Sequence, residues 1–173
     1  MPEKTALVIV DMLNDFVKEG GSLIVPEAVN LIPIIKRRQD DARSQGIPII
    51  YLTDAHRPDD PEFEMWPPHA VPGTWGQQVI DELKPQSEDY VLPKRRYSGF
   101  FGTQLELVLR ELGIGTLIIT GVLTNICVFF TAIHAKALAY RVIVPKDSVA
   151  STSKEDHEWA LRQMKDLHGI EVI

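Results

Sequence analysis

The sequence predicts an α/β protein: a three-layer αβα arrangement around a mainly parallel, Rossmann-like six-stranded sheet. Three observations carry that prediction. Short apolar runs alternate with helix-period segments from end to end, the βαβα rhythm of parallel sheets. The runs Thr5–Val10 and Leu117–Val122 are almost unbroken rather than alternating, as expected of strands covered on both faces. Glycines stand where helices should stop, at Gly46 and Gly113. The 173 residues read as one domain, 1–173, long enough to bury roughly 70% of its unfolded surface. No repeat, low-complexity tract or linker divides it.

Thr5–Val10 is the first strand. Leu31–Gln45 reads as a helix in which Pro33 falls in the first turn, where no N–H is needed. Ile47–Thr53 follows as the second strand, Thr74–Leu83 as a short helix, and Asp89–Pro93 as the third strand. Thr103–Leu112 is helical because Leu105, Val108, Leu109 and Leu112 form one stripe. A strand at 116–121, a helix at 125–139 and a strand at Arg141–Val144 come next. The last helix runs from Ser153 to Leu167, its start marked by Ser153 and Asp156, a variant of the capping box. Ile170–Ile173 closes the chain as an edge strand. Asp54 to Gly73 is the one long irregular segment, and loops of that length in a compact domain are usually functional.

Composition narrows the functional classes. A net charge of −6 argues against nucleic acid and anionic membranes as partners. One cysteine makes no internal disulfide, so nothing asks for an oxidising compartment. The apolar stretch Ala6–Val10 is too short for a signal peptide and runs into Asp11. No window reaches the roughly 18 apolar residues of a membrane span. The expectation is a cytoplasmic protein.

In parallel α/β sheets, ligands sit beyond the carboxyl ends of the strands. Asp11, Asp54 and Lys94 fall at the ends of the first three strands, and Cys127 follows the fourth. Thr124 is placed to cap the following helix, which puts Cys127 in a first turn whose N–H groups and dipole favour a thiolate. Singly, each residue has a plainer reading: a turn aspartate, a solvated lysine, a small buried cysteine. Together they suggest a thiol nucleophile, a carboxylate base and a lysine that holds the charges in place. Within the long loop, Asp54, His56, Glu62 and His69 are ligand types that suit Zn²⁺, Fe²⁺ or Mn²⁺. A Pro-rich acidic loop whose histidines face water accounts for the composition equally well. His134, His157 and His168 receive no role, and Lys36-Arg37-Arg38 beside Asp40-Asp41 reads as the wet face of a helix.

The motifs Asp11-Met12-Leu13-Asn14-Asp15-Phe16, Lys94-Arg95-Arg96-Tyr97-Ser98-Gly99-Phe100 and Gly121-Val122-Leu123-Thr124-Asn125-Ile126-Cys127-Val128 occur in that order. In this the chain resembles the isochorismatase-like cysteine hydrolases, and within them the nicotinamidases, over nearly its whole length. The resemblance implies a catalytic triad of Asp11, Lys94 and Cys127. It also implies a cis peptide at Val122–Leu123 and an oxyanion hole formed by the N–H groups of Leu123 and Cys127. It makes Asp54, His56, Glu62 and His69 the metal ligands, with Glu64 as a lesser substitute for Glu62 and zinc ahead of iron or manganese. Phe16, Trp66 and Tyr97 match positions that line the nicotinamide ring, although ordinary packing also accounts for them. Departures are Ala55 before His56 where many nicotinamidases have Trp, Ala70 after His69 where they have Cys, and Asn125 where an acidic residue is common.

The implied activity is metal-dependent deamidation of nicotinamide to nicotinic acid and ammonia through a thioester on Cys127, as in NAD salvage. Relatives of this kind are often dimers or tetramers, and Val128-Phe129-Phe130 suits either a core or a subunit contact. Two other readings stand beside it: an amidase acting on another small amide, ureide or carbamoyl compound, and a catalytically silent binding protein. A dinucleotide-binding protein is excluded, because no Gly-x-Gly-x-x-Gly follows the first strand.

Overall fold

The computed structural model describes residues 4–173. Seven parallel strands form one sheet: β1 (Lys4–Val10), β2 (Ile49–Asp54), β3 (Tyr90–Lys94), β4 (Ile114–Val122), β5 (Arg141–Val144), β6 (Val149–Ala150) and β7 (Glu171–Val172). Their order is β3-β2-β1-β4-β5-β7, with β6 continuing alongside β4 beyond the end of β5. The six predicted strands are present, and β6 is the addition.

β1 lies in the middle of the sheet, buried from Ala6 to Val10, and its side chains alternate between two cores. Leu7 and Ile9 point into one, with Leu31 and Ile35 of helix α2 (Ala28–Ser44) and Phe16 of the single-turn α1 (Asn14–Val17). Ala6, Val8 and Val10 point into the other, with residues of α3 (Leu105–Leu112), α4 (Cys127–Ala137) and α5 (Lys154–Asp166). This is the predicted three-layer arrangement.

Three local expectations change. The helix expected at Thr74–Leu83 is irregular. Val79 forms an antiparallel bridge to Leu13, and only Asp81–Leu83 makes a 3-10 turn. Ile80 and Leu83 of this segment are buried beneath α2. Helix α2 starts at Ala28, so Pro33 lies inside it rather than in its first turn. It is tolerated because Pro33 and Val29, whose carbonyl loses its donor, both face solvent. Thr124 does not cap α4. Its hydroxyl meets His157 Nδ1 at 2.9 Å, and Ile126 precedes the helix with no side-chain cap. Of Val128-Phe129-Phe130, Val128 is core and Phe130 is exposed.

The helix stops hold. Gly113 adopts a left-handed conformation after α3, and Gly46 does so just beyond α2. The Ser153 hydroxyl accepts the Asp156 N–H at 3.1 Å and opens α5. Among the described residues, no helix is long and apolar enough to cross a membrane.

Candidate active site

Parallel strands end together, so the residues beyond each carboxyl end arrive at one rim. Asp11 leaves β1 with φ 51, a left-handed conformation that aspartate tolerates. Asp54 and Lys94 close β2 and β3 in register with each other, and Cys127 begins α4 just beyond β4. Lys94, 1% exposed, is the hub. Its ammonium lies 2.8 Å from Asp11 Oδ2, donates to Asp54 Oδ1, and stands 3.3 Å from Cys127 Sγ. Asp11 Oδ1 accepts the Asp54 N–H at 2.8 Å, which fixes the carboxylate plane.

Burial and neighbouring charge set the protonation states. Burial and the negative charge of Asp54 push the Asp11 carboxyl up to about 6, against the pull of Lys94. Although burial opposes it, the charges of Asp11 and Asp54 hold the Lys94 ammonium well above the ordinary lysine range. Burial also pushes the Cys127 thiol well up, and Lys94 only partly offsets this. The helix N-terminus, which favours a thiolate at Cys127, is thus opposed by desolvation.

Beside this cluster stands the second one. Asp54, His56 and His69 bring ligand atoms within 4.8 Å of one another, all buried. Asp54 Oδ2 lies 3.6 Å from His56 Nε2 and 4.0 Å from His69 Nε2. Glu62 Oε1 is 4.0 Å from His56 Nε2. Neither ring nitrogen of the buried His56 has a hydrogen-bond partner. His69 Nδ1 lies 2.8 Å from the Pro67 carbonyl, which leaves its Nε2 a lone-pair donor. Buried imidazole nitrogens with lone pairs facing carboxylates are what a divalent cation satisfies, so these residues fit a metal. Glu64 is exposed.

A cavity of 140 Å³ joins the clusters, lined by Cys127, Leu123, Phe16, Trp66, Tyr97 and His69 among others. All three expected aromatic residues face it. Trp66 Nε1 donates to the Tyr97 hydroxyl at 3.4 Å, and Phe16 packs edge-on against His69. The Val122–Leu123 peptide is cis. The N–H groups of Thr124, Ile126 and Val128 are taken by backbone carbonyls, whereas no hydrogen bond outside a helix or strand takes those of Leu123 or Cys127 among the described residues.

The sequence reading missed three supports. Asp15 accepts from Ala70 N at 2.8 Å and Ser22 N at 3.0 Å, which ties α1 to the residue after His69. Asp156 and Thr152 reach the cavity from the start of α5. Asp60, buried, faces His56. Only for Asp15, inside the first motif, did the sequence carry a signal.

Comparison with known proteins identifies the family. The model for the isochorismatase domain matches residues 5–173. N-carbamoylsarcosine amidase from Thermoplasma acidophilum is 40% identical, with TM-score 0.90 over 98% of this chain and 95% of that one. Nicotinamidase/pyrazinamidase PncA from Bacillus subtilis is 34% identical, with TM-score 0.93 over 98% of each chain. Pyrazinamidase of Pyrococcus horikoshii, solved in complex with zinc, is 32% identical, with TM-score 0.93 over 98% of each. A family match that runs from β1 to the last strand, around a buried Asp-Lys-Cys cluster at the sheet's rim, places the chain in the isochorismatase family of hydrolases.

Proposed function

We propose that the protein is a metal-dependent cysteine amidohydrolase that deamidates nicotinamide to nicotinic acid and ammonia. The observation that carries this reading is the adjacency of the two clusters. Asp54 gives one oxygen to Lys94 and turns the other toward His56 and His69, so a nucleophile and a metal site open onto one small aromatic-lined cavity.

Cys127 Sγ attacks the carboxamide carbon as Asp11 takes the thiol proton. The carbonyl oxygen gains the electron pair and is held by the N–H groups of Leu123 and Cys127, a contribution of roughly 3–4 kcal/mol per donor in comparable sites. The C–N bond breaks, the nitrogen takes the proton from Asp11 and leaves as ammonia, and a thioester remains on Cys127. Water then adds to the thioester, Asp11 accepts its proton, and the returning thiolate recovers that proton. Lys94 stays charged throughout and keeps Asp11 and Cys127 in register. Asp54, His56, His69 and Glu62 would hold a divalent ion, zinc foremost, which would anchor the ring nitrogen and draw electrons from the ring.

A second reading keeps the same chemistry on a carbamoyl or ureido substrate. It is favoured by the 40% identity to an amidase of that kind, and by the polar side of the cavity, where Asn125, Thr152 and Asp156 stand.

The test is ammonia release from nicotinamide by zinc-replete protein, chelated protein and the Cys127→Ala variant. Activity is expected only with both metal and Cys127, and the variant should fall below about a thousandth of wild type. Full activity in Cys127→Ala would rule out the thioester. No turnover of nicotinamide by metal-replete wild type, with hydrolysis of an N-carbamoyl amino acid, would establish the second reading instead.

A further inference from the structure

We propose that Asp60 is a positioning residue that acts through His56, locked in place by Arg95 and Arg96. The inference rests on the metal-site reading above and goes beyond its ligand set.

Asp60 has no solvent-exposed side-chain surface, which is unusual for an aspartate in a loop. Its Oδ1 caps the 3-10 turn Pro61–Glu64 by accepting the Glu62 N–H at 3.1 Å. Arg95 Nη2 lies 3.1 Å from Oδ2, and Arg96 Nη1 lies 3.2 Å from both oxygens. Both arginines directly follow Lys94 at the end of β3, so the carboxylate ties the irregular loop to the strand that delivers the lysine.

The remaining approach is to His56. Oδ2 stands 3.4 Å behind His56 Nδ1, close enough to act through its charge though not aligned as a hydrogen bond, while Nε2 on the other side of the ring faces Asp54 and Glu62. Phe63 and His69 pack edge-on against the ring at 5.6 and 4.8 Å and hold its plane. A carboxylate behind an imidazole selects the Nδ1–H tautomer, leaves the Nε2 lone pair for a cation, and makes it more basic. His69 obtains the same tautomer from the Pro67 carbonyl.

Asp60, His56 and Glu62 also fall within the spacing of a metal-binding group, so Asp60 has to be weighed as a ligand. Two features argue against it. Its oxygens already accept from a backbone amide and two guanidinium groups, and those two positive charges would repel a dication placed on the same carboxylate.

The experiment measures zinc affinity by competition with a chromophoric chelator, and the absorption bands of the cobalt-substituted protein, for wild type, Asp60→Ala, Asp60→Asn and His56→Ala. Asp60→Ala is expected to weaken zinc binding by about 10- to 100-fold and to shift the cobalt bands. Asp60→Asn, which keeps one acceptor oxygen and so can serve the turn or face the ring but not both, should fall between it and wild type. It also serves as the measured variant if Asp60→Ala does not fold. Equal zinc affinity in wild type and a folded Asp60 variant would overturn the inference and leave the metal site standing. A loss as large as that of His56→Ala would make Asp60 a ligand and overturn it as well. Wild type that binds no zinc would remove the metal reading itself, and this inference with it.

Discussion

Lys94 shows what one side chain can be asked to do. A buried ammonium between two buried carboxylates and a thiol is held by charge and strained by desolvation at once. Removing one partner of such a cluster strands the others without water. Lys94→Met should therefore abolish turnover and also lower unfolding stability by about 3–5 kcal/mol in urea titrations. Cys127→Ala should lose turnover at a cost of about 1 kcal/mol. Equal stability of the two variants would mean that Lys94 is not the electrostatic centre described. At this scale the sequence was legible where a residue followed a strand, because topology alone gathers Asp11, Asp54, Lys94 and Cys127. It was not legible for Asp60, whose neighbours Arg57, Asp59 and Pro61 give it the look of a solvated turn. Its burial depends on Arg95 and Arg96, more than thirty residues away.

Among the elements, β4 carries the tightest geometric demand. Gly121 has φ +105, and a Cβ there would lie 2.0 Å from the Val10 carbonyl oxygen on β1. No side-chain rotation relieves a clash with backbone. Gly121→Ala is expected to cost on the order of 3 kcal/mol or more, from strain and forced separation of the two strands. Its denaturation midpoint measures that, and a midpoint like wild type would contradict the close approach. Long periodic elements were read correctly because pattern and burial agree in them, as in α3 and β1. The misreadings fall where tertiary contacts replace local ones. Trp75, Val79, Ile80 and Leu83 are spaced like a helix face, yet their segment is held by Gln78 O to Asn14 N and by the bridge to Leu13. Thr124 looked like a cap and instead meets His157, thirty-three residues on.

For the molecule as a whole, the layers are joined by polar contacts that titrate. The Tyr51 hydroxyl on β2 donates to Leu83 O at 2.9 Å and accepts from Gln39 of α2, all three within the interior. Burial, reinforced by Asp89, pushes this phenol from 10.0 up to about 12, against Arg43 and Gln39. The folded state thus holds a proton that the unfolded chain releases near pH 10. The stabilisation is complete below pH 10 and is lost as pH rises toward 12. Between those values the unfolding free energy of wild type should fall more steeply than that of Tyr51→Phe, by up to one proton in slope, and parallel slopes would refute it.

The division of labour between strands and loop has a consequence for descent. Asp11, Asp54 and Lys94 sit on or directly after strands whose register the core enforces, and Cys127 starts a helix packed into that core. His56, Glu62, Trp66 and His69 hang on one irregular segment, pinned by a few contacts such as Asp15 to Ala70. A lineage can rewrite that segment and change what the cavity welcomes, while the four residues at the sheet's rim pass to the descendants intact.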